Sequence, residues 1–150
     1  MSVRSLCVDY PRGSHVPSHA HSWPQLLYAG QGTLRAQSGQ NLWVVPPRRA
    51  LWIRALARHE LTMLSQVHLR TLYFRKNPWG NHSDDPRVLD VGGLLNEMIL
   101  RTCDLGWLDE CVHFEYSLAE LLVGELTLAG SQALYLTLPE DPRALRLATS

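Results

Sequence analysis

The sequence predicts a mainly β fold, closed into a small barrel and followed by two helices, all within one domain. Three observations carry this expectation. Between Pro24 and about Arg75, short apolar runs alternate with turn signals, the pattern of an all-β sandwich or barrel. Beyond residue 93 the apolar residues switch to spacings of three and four, the mark of amphipathic helices. The 150 residues, 45% of them hydrophobic, suffice for one domain with a genuine core and leave no room for a second.

The elements follow in order. Gln25 to Ala29 is a compact apolar strand ended by Gly30-Gln31-Gly32, and Thr33 to Gln37 alternates up to the turn at Ser38-Gly39-Gln40-Asn41. Leu42 to Val45 comes next, and Pro46-Pro47 stops it because two ladder donors are missing. Ala50 to Arg54 restarts the sheet. His59 to Ser65 and Val67 to Arg75 are the longest strands, and the second carries apolar residues on both faces, so it should be covered twice. The character changes after Asp84-Asp85-Pro86. Arg87 to Val91 reads as a short strand, and Leu94, Leu95, Met98, Ile99 and Cys103 then form a helical stripe closed by Gly106. A second helix, from about Glu110 to Ala129, carries Phe114, Leu118, Leu121, Leu122, Glu125 and Leu126 and ends at Gly130-Ser131. Leu134 to Leu138 is the last strand.

This reading divides the chain into a barrel region over 1–84, a segment of strand, two helices and closing strand over 85–138 within the same domain, and a tail over 139–150. The outer face of so small a barrel is limited, and the helical stripes are leucine-rich. Leu95, Met98, Ile99, Leu118, Leu121 and Leu122 are therefore expected to form a homodimer interface.

Fourteen basic and fourteen acidic residues give a formal net charge of zero, which excludes a stand-alone nucleic-acid binder. There is no apolar run of eighteen residues and no signal-peptide pattern in Met1-Ser-Val-Arg-Ser-Leu6, so a cytoplasmic protein without a membrane partner is expected. Cys7, Cys103 and Cys111 are odd in number and lack a CxxC spacing, which argues for small reduced packing residues. Arg48, Arg49, Arg54 and Arg58 read as a solvated strand edge that resists aggregation.

The chemistry concentrates on His19, His21, Gln25 and His59. His19-Ala20-His21 places two imidazoles on one side of an extended chain, and Gln25 keeps the same parity. His59 shares its strand face with Leu61 and Met63, so it should point inward. Three imidazoles and an amide oxygen make a four-ligand set suited to a divalent transition metal such as zinc, nickel or copper. The alternative is a metal-free cluster in which the side chains bond to one another. His15, His68, His82 and His113 read as surface or structural residues. Trp23, Trp43, Trp52, Met63 and Tyr73 are candidates for an effector pocket, with core packing as the other reading.

The frame Gly13-x5-His19-x-His21-x3-Gln25-x6-Gly32 resembles the first motif of the cupin superfamily, with glutamine where glutamate is usual. His59 is similar to the histidine of the second cupin motif, although the spacing from Gly39 to Pro46 is one residue longer and Met63 stands where many cupins carry asparagine. The longer succession His19-x-His21-x-Trp23-x-Gln25-Leu-Leu-Tyr28, Gly32-x-Leu34, Trp43-Val-Val-Pro46-Pro-x-x-Ala50-x-Trp52-Ile53, His59-x-Leu61 and Thr71-Leu-Tyr73-Phe74 resembles the N-terminal effector domain of AraC-type transcriptional regulators, over about residues 10 to 145. Arg54 departs from the proline often found in that family.

The resemblance implies a cupin-like small β-barrel, a double-stranded β-helix, with a helical dimerisation segment. It implies a sensor of a small molecule or a metal, zinc or nickel, rather than an enzyme. Pro139-Glu-Asp-Pro142 is similar to the stretch leading into a helix-turn-helix region, so DNA would be reached only through a domain following Ser150. The competing expectation is a metal-dependent cupin enzyme of the dioxygenase or isomerase type, with His19, His21 and His59 holding the ion. Glu60 is the nearest candidate base, but strand alternation points it away from His59.

Overall fold

A computed structural model describes residues 2–80, 86–129, 131–132 and 135–137. The expected tail over 139–150 and the turn at Asp84-Asp85 lie outside the described residues. Strands β1 (Val3–Tyr10), β2 (His15–His19), β3 (Gln25–Gln31), β4 (Leu34–Ser38), β5 (Asn41–Val45), β6 (Arg49–Ile53), β7 (His59–Met63), β8 (Val67–Phe74) and β9 (Arg87–Asp90) lead to helix α1 (Gly93–Leu105). Strand β10 (Trp107–Leu108), helix α2 (His113–Leu128) and strands β11 (Ser131–Gln132) and β12 (Tyr135–Thr137) follow among the described residues.

The strands form two antiparallel sheets, one ordered β10-β1-β8-β3-β6-β9-β11 and the other β12-β5-β4-β7-β2. The sheets stack face to face and remain separate, so the expected barrel is an open sandwich. Strand β1, absent from the sequence reading, pairs with β8 along its full length, from Val3 opposite Phe74 to Tyr10 opposite Val67.

Strand alternation divides the core in two. In β3, Leu27 and Ala29 face the second sheet and pack with Leu34, Trp43, Leu61 and Met63, while Leu26 and Tyr28 face the helices. In β6 the same division sends Leu51 and Ile53 inward and Ala50 and Trp52 outward. The larger sheet is thus covered on both faces, which explains its apolar runs.

The helices lie on the outer face of this sheet, with Leu95, Met98, Ile99, Leu118 and Leu122 buried against Leu26, Trp52, Leu72 and Phe74. That placement corrects the expected dimer interface. Five of its six residues fill the chain's own core, and Leu121 alone is exposed, at 59%. A stripe at helical spacing reports that one face is covered, but not whether the cover is the same chain or another. The exposed apolar face of α2 is instead Phe114, Leu121 and Leu128.

Two contacts fasten α1 to the sheet. The Tyr28 hydroxyl donates to Asn96 Oδ1. Ser5 of β1 donates through its Oγ to the carbonyls of Thr102 (3.4 Å) and Gly106 (3.0 Å), and its backbone N–H donates to Gly106 as well (2.9 Å). Gly106, with φ +84°, ends the helix and returns its N–H to the Thr102 carbonyl. Of the three cysteines only Cys103 packs against the core; Cys7 and Cys111 are exposed. Burial, together with the hydrogen bond to Cys7, pushes the Cys103 thiol well above its ordinary pKa.

A candidate histidine centre

His19, His21 and His59 converge at one end of the space between the sheets. His59 begins β7 and is 1% exposed, on the inward face it shares with Leu61 and Met63. His19 ends β2 and stands directly opposite His59 in the antiparallel ladder, after an irregularity in pairing that begins at Val16. The ring centroids of this pair are 4.4 Å apart.

His21 arrives by a different route from the one expected. β2 ends at His19, and residues 20–24 form a bent connection, so strand alternation does not aim this imidazole. The connection is held at both ends: the Leu56 N–H donates to the His21 carbonyl (2.7 Å) and the Phe74 N–H to the Pro24 carbonyl (3.0 Å). The His21 ring lies 4.8 Å from that of His19, and packs on Tyr73 at 5.1 Å. Gln25 comes from the opposite sheet, buried at the start of β3.

Hydrogen bonds fix the protonation pattern. A backbone carbonyl can only accept, so His59 Nδ1 donates to Ala57 (2.9 Å) and His19 Nδ1 donates to Pro17 (2.8 Å). In the neutral form of either ring, Nε2 is then the nitrogen with the free lone pair. Carbonyl partners on the far nitrogen are what orient metal-binding imidazoles in general. The Gln25 amide nitrogen lies 2.8 Å from His59 Nε2 and donates to that lone pair. Turning the amide over would present its oxygen instead.

One potential ligand atom from each histidine lies within 4.8 Å of the others. Nitrogens bound to zinc at ~2.1 Å stand no more than ~4.2 Å apart, so a small inward rotation of the rings suffices for coordination. The donor set fits a divalent transition metal: three imidazoles, two with their far nitrogens already engaged, and one neutral amide.

The electrostatics favour the neutral form these ligands need. Burial lowers the His59 pKa from 6.5 to about 4, opposed by the hydrogen bond to the Ala57 carbonyl and aided by repulsion from His19 and His21 whenever those are protonated. Burial and then His19 lower that of His21 as well. The unfolded chain should accordingly take up a proton at position 59 as pH falls from about 6.5 toward 4, which the native state resists. Native stability from this group is full above pH ~6.5 and is lost progressively down to ~4. Urea midpoints of metal-free protein should therefore fall over that interval, less steeply in His59→Gln. Equal slopes in the two proteins would contradict the assignment.

A pocket of about 310 Å³ opens beside the histidines, lined by Arg4, Leu6, His21, Ser22, Trp23 and Tyr73. Of the five residues anticipated for an effector pocket, Trp23 and Tyr73 line it. Trp43 and Met63 belong to the core between the sheets, and Trp52 lies on the helix side of the larger sheet against Phe74 and Trp79. Trp52 is thus separated from Trp43 and Met63 by the sheet itself, because even-numbered residues of β6 face outward. Arg4, Leu6 and Ser22 were missed with β1 and the bent connection that carry them.

His15 faces away from the centre, with Nδ1 at 3.2 Å from Thr62 Oγ1 and Nε2 at 3.6 Å from Glu60. Glu60 is accordingly on the outer side of β7, as its parity requires. Arg49 forms an ion pair with Asp90 at 2.6 Å, and Arg58 donates to the Ser18 carbonyl.

No family model and no curated protein matches the chain. Solved structures do. An apo form of ToxT from Vibrio cholerae strain SCE256 superposes with a TM-score of 0.64 at 9% identity, covering 85% of this chain and 55% of ToxT. A second structure of ToxT from Vibrio cholerae gives 0.59 at 8% identity, over 85% of this chain and 56% of the other. A cupin superfamily protein from Desulfitobacterium hafniense gives 0.47 at 14% identity, over 49% of this chain and 67% of its own. The chain thus spans little more than half of ToxT, and at these identities the likeness is one of fold. That fold is an open antiparallel β-sandwich carrying two helices on its larger sheet. The strands before α1 end at Asp90, so 85% coverage takes in residues of the helical segment as well.

Proposed function

We propose that this domain senses a metal or small molecule, dimerises, and controls an attached helix-turn-helix DNA-binding region, as in AraC-type transcriptional regulators. The observation that carries the reading is the convergence of three imidazoles and an amide beside an open pocket, with no carboxylate in the set among the described residues. Such a site can be occupied but offers no carboxylate to act as a base once the histidines hold an ion, which favours sensing over turnover. The AraC-type sequence resemblance and the match in fold to ToxT support the same reading. His19, His21, His59 and Gln25 would hold the ion; with no carboxylate among them, the ion would keep its charge and favour an anion or water at an open position. Effector binding would act by preferring one arrangement of sandwich and helices over another.

The test is functional. The chain fused to a dimer-dependent DNA-binding domain should change operator occupancy when zinc or a pocket ligand is added. Occupancy indifferent to every addition would refute the sensing role.

Dimerisation is assigned to the exposed face of α2. Phe114, Leu121 and Leu128 recur every seven residues, at 58%, 59% and 81% exposure, and the small residues Ser117 and Gly124 alternate with them. A seven-residue apolar repeat with small neighbours suits close packing of a second copy of the helix. Leu121→Glu should convert a dimer to a monomer in sedimentation equilibrium while the thermal midpoint stays within ~2 °C, because an exposed position contributes little to the chain's own stability. A wild type that is already monomeric, or a Leu121→Glu protein that still dimerises, would rule this face out.

A further inference from the structure

We infer that the pocket beside the histidines receives a small ligand with an apolar body and a carboxylate, and that Arg4 is the residue that anchors the carboxylate. The inference rests on the sensory reading of this site and names the class of molecule it would read. The volume of about 310 Å³ is at the small end of ordinary ligand pockets, which run from ~300 to ~1,000 Å³. Among the described residues its lining holds one permanent cation and no acid: Arg4, with Leu6 and Trp23 as apolar walls, Tyr73 offering a ring and a hydroxyl, and Ser22 and His21 as further polar groups.

The position of Arg4 is set by the sheet. In β1 it stands directly opposite Tyr73 of β8, and the Tyr73 ring packs in turn on His21. The guanidinium is therefore placed at the rim of the pocket, on the side of the histidine centre. Arg49 and Arg70 have carboxylate partners in Asp90 and Asp9, at 2.6 and 2.9 Å. The Arg4 guanidinium has no hydrogen bond or ion pair among the described residues. A guanidinium offers a planar fork that matches a carboxylate through two parallel hydrogen bonds.

The apolar side of the pocket completes the match. Leu6 is 49% exposed on the same face of β1 as Arg4, and with Trp23 it presents a hydrophobic surface that a bare inorganic anion would leave uncovered. An aryl or branched alkyl carboxylate satisfies both ends.

Calorimetric titration of the intact chain, metal-free and zinc-loaded, with phenylacetate, 3-methylbutanoate and their neutral amides provides the test; phenyl phosphate serves as a comparison anion. The acids should bind wild type at least tenfold more tightly than their amides. Arg4→Gln should abolish that preference, and Arg4→Lys should retain only part of it, with thermal midpoints unchanged because Arg4 is exposed. Equal binding of acids and amides, no binding by either acid, stronger binding of phenyl phosphate, or zinc-dependent binding indifferent to Arg4 would each overturn the proposal. These readouts are of binding alone. Acid selectivity lost with Arg4, in a protein whose DNA-binding fusion responds to no addition, would leave this inference standing while refuting the sensing role.

Discussion

Alanine in place of Gly32 is expected to destabilise the domain by about 3 kcal/mol or more, a large share of the 5–15 kcal/mol typical of such domains. Gly32 has φ +84°, a region that itself costs a side-chain-bearing residue ~1–3 kcal/mol. The larger effect is steric. A Cβ there would lie 1.9 Å from the Gln66 carbonyl oxygen, 2.8 Å from its carbon and 2.9 Å from Val67 Cα. All three are backbone atoms, so no rotamer change can make room. The turn between β7 and β8 would have to shift, although the Leu64 N–H to Thr33 carbonyl bond and the Thr33 N–H to Ser65 Oγ bond, both 2.9 Å, fasten it to the turn between β3 and β4.

Gly13 and Gly39 serve as internal controls. Their φ values are +87° and +59°, but a Cβ at either would meet nothing within 4 Å. Alanine there should cost only the backbone component. Urea denaturation of the three variants should rank Gly32→Ala far below the other two; three similar midpoints would remove the steric argument.

The second large effect is expected at His59. His59→Ala should weaken zinc binding by at least ~100-fold, because removing a direct donor should exceed the 10–100-fold typical of losing an outer partner. It also leaves the buried Gln25 amide without the lone pair it now engages. His19→Ala should lose metal similarly, and His15→Ala should not, since His15 faces Thr62 and Glu60. Competition with a chromophoric chelator measures all three. A wild type with no stoichiometric zinc under metal-replete conditions would sink the ligand assignment, as would an unaltered affinity in His59→Ala.

Much of the β architecture from β3 to β8 was legible because glycine, proline and asparagine punctuate it at fixed intervals. The convergence of His19, Gln25 and His59 followed from the motif and from inward parity at His59. What escaped has specific physical causes. β1 carries no strong alternation, since Arg4, Leu6 and Cys7 are all exposed, and its order comes from pairing with β8 more than fifty residues away. His21 sits on a bent connection whose shape depends on bonds to Leu56 and Phe74, which no local pattern announces. The helical stripes were real, but their partner was the outer face of the chain's own sheet. Gly13 and Gly32 looked equivalent in the motif, and only packing separates them: one turn is open, the other lies against another backbone.

Strand β1 joins two parts of the molecule that otherwise do not touch it together. Arg4 lines the pocket, while the next residue, Ser5, holds the end of α1 through its side chain and backbone. Adjacent residues in a strand are only ~3.3 Å apart and point to opposite faces. The strand is therefore a short lever with its two ends on opposite sides of one sheet. The route from the pocket to the helix terminus is therefore a single peptide unit, shorter than any path through the side chains of the core.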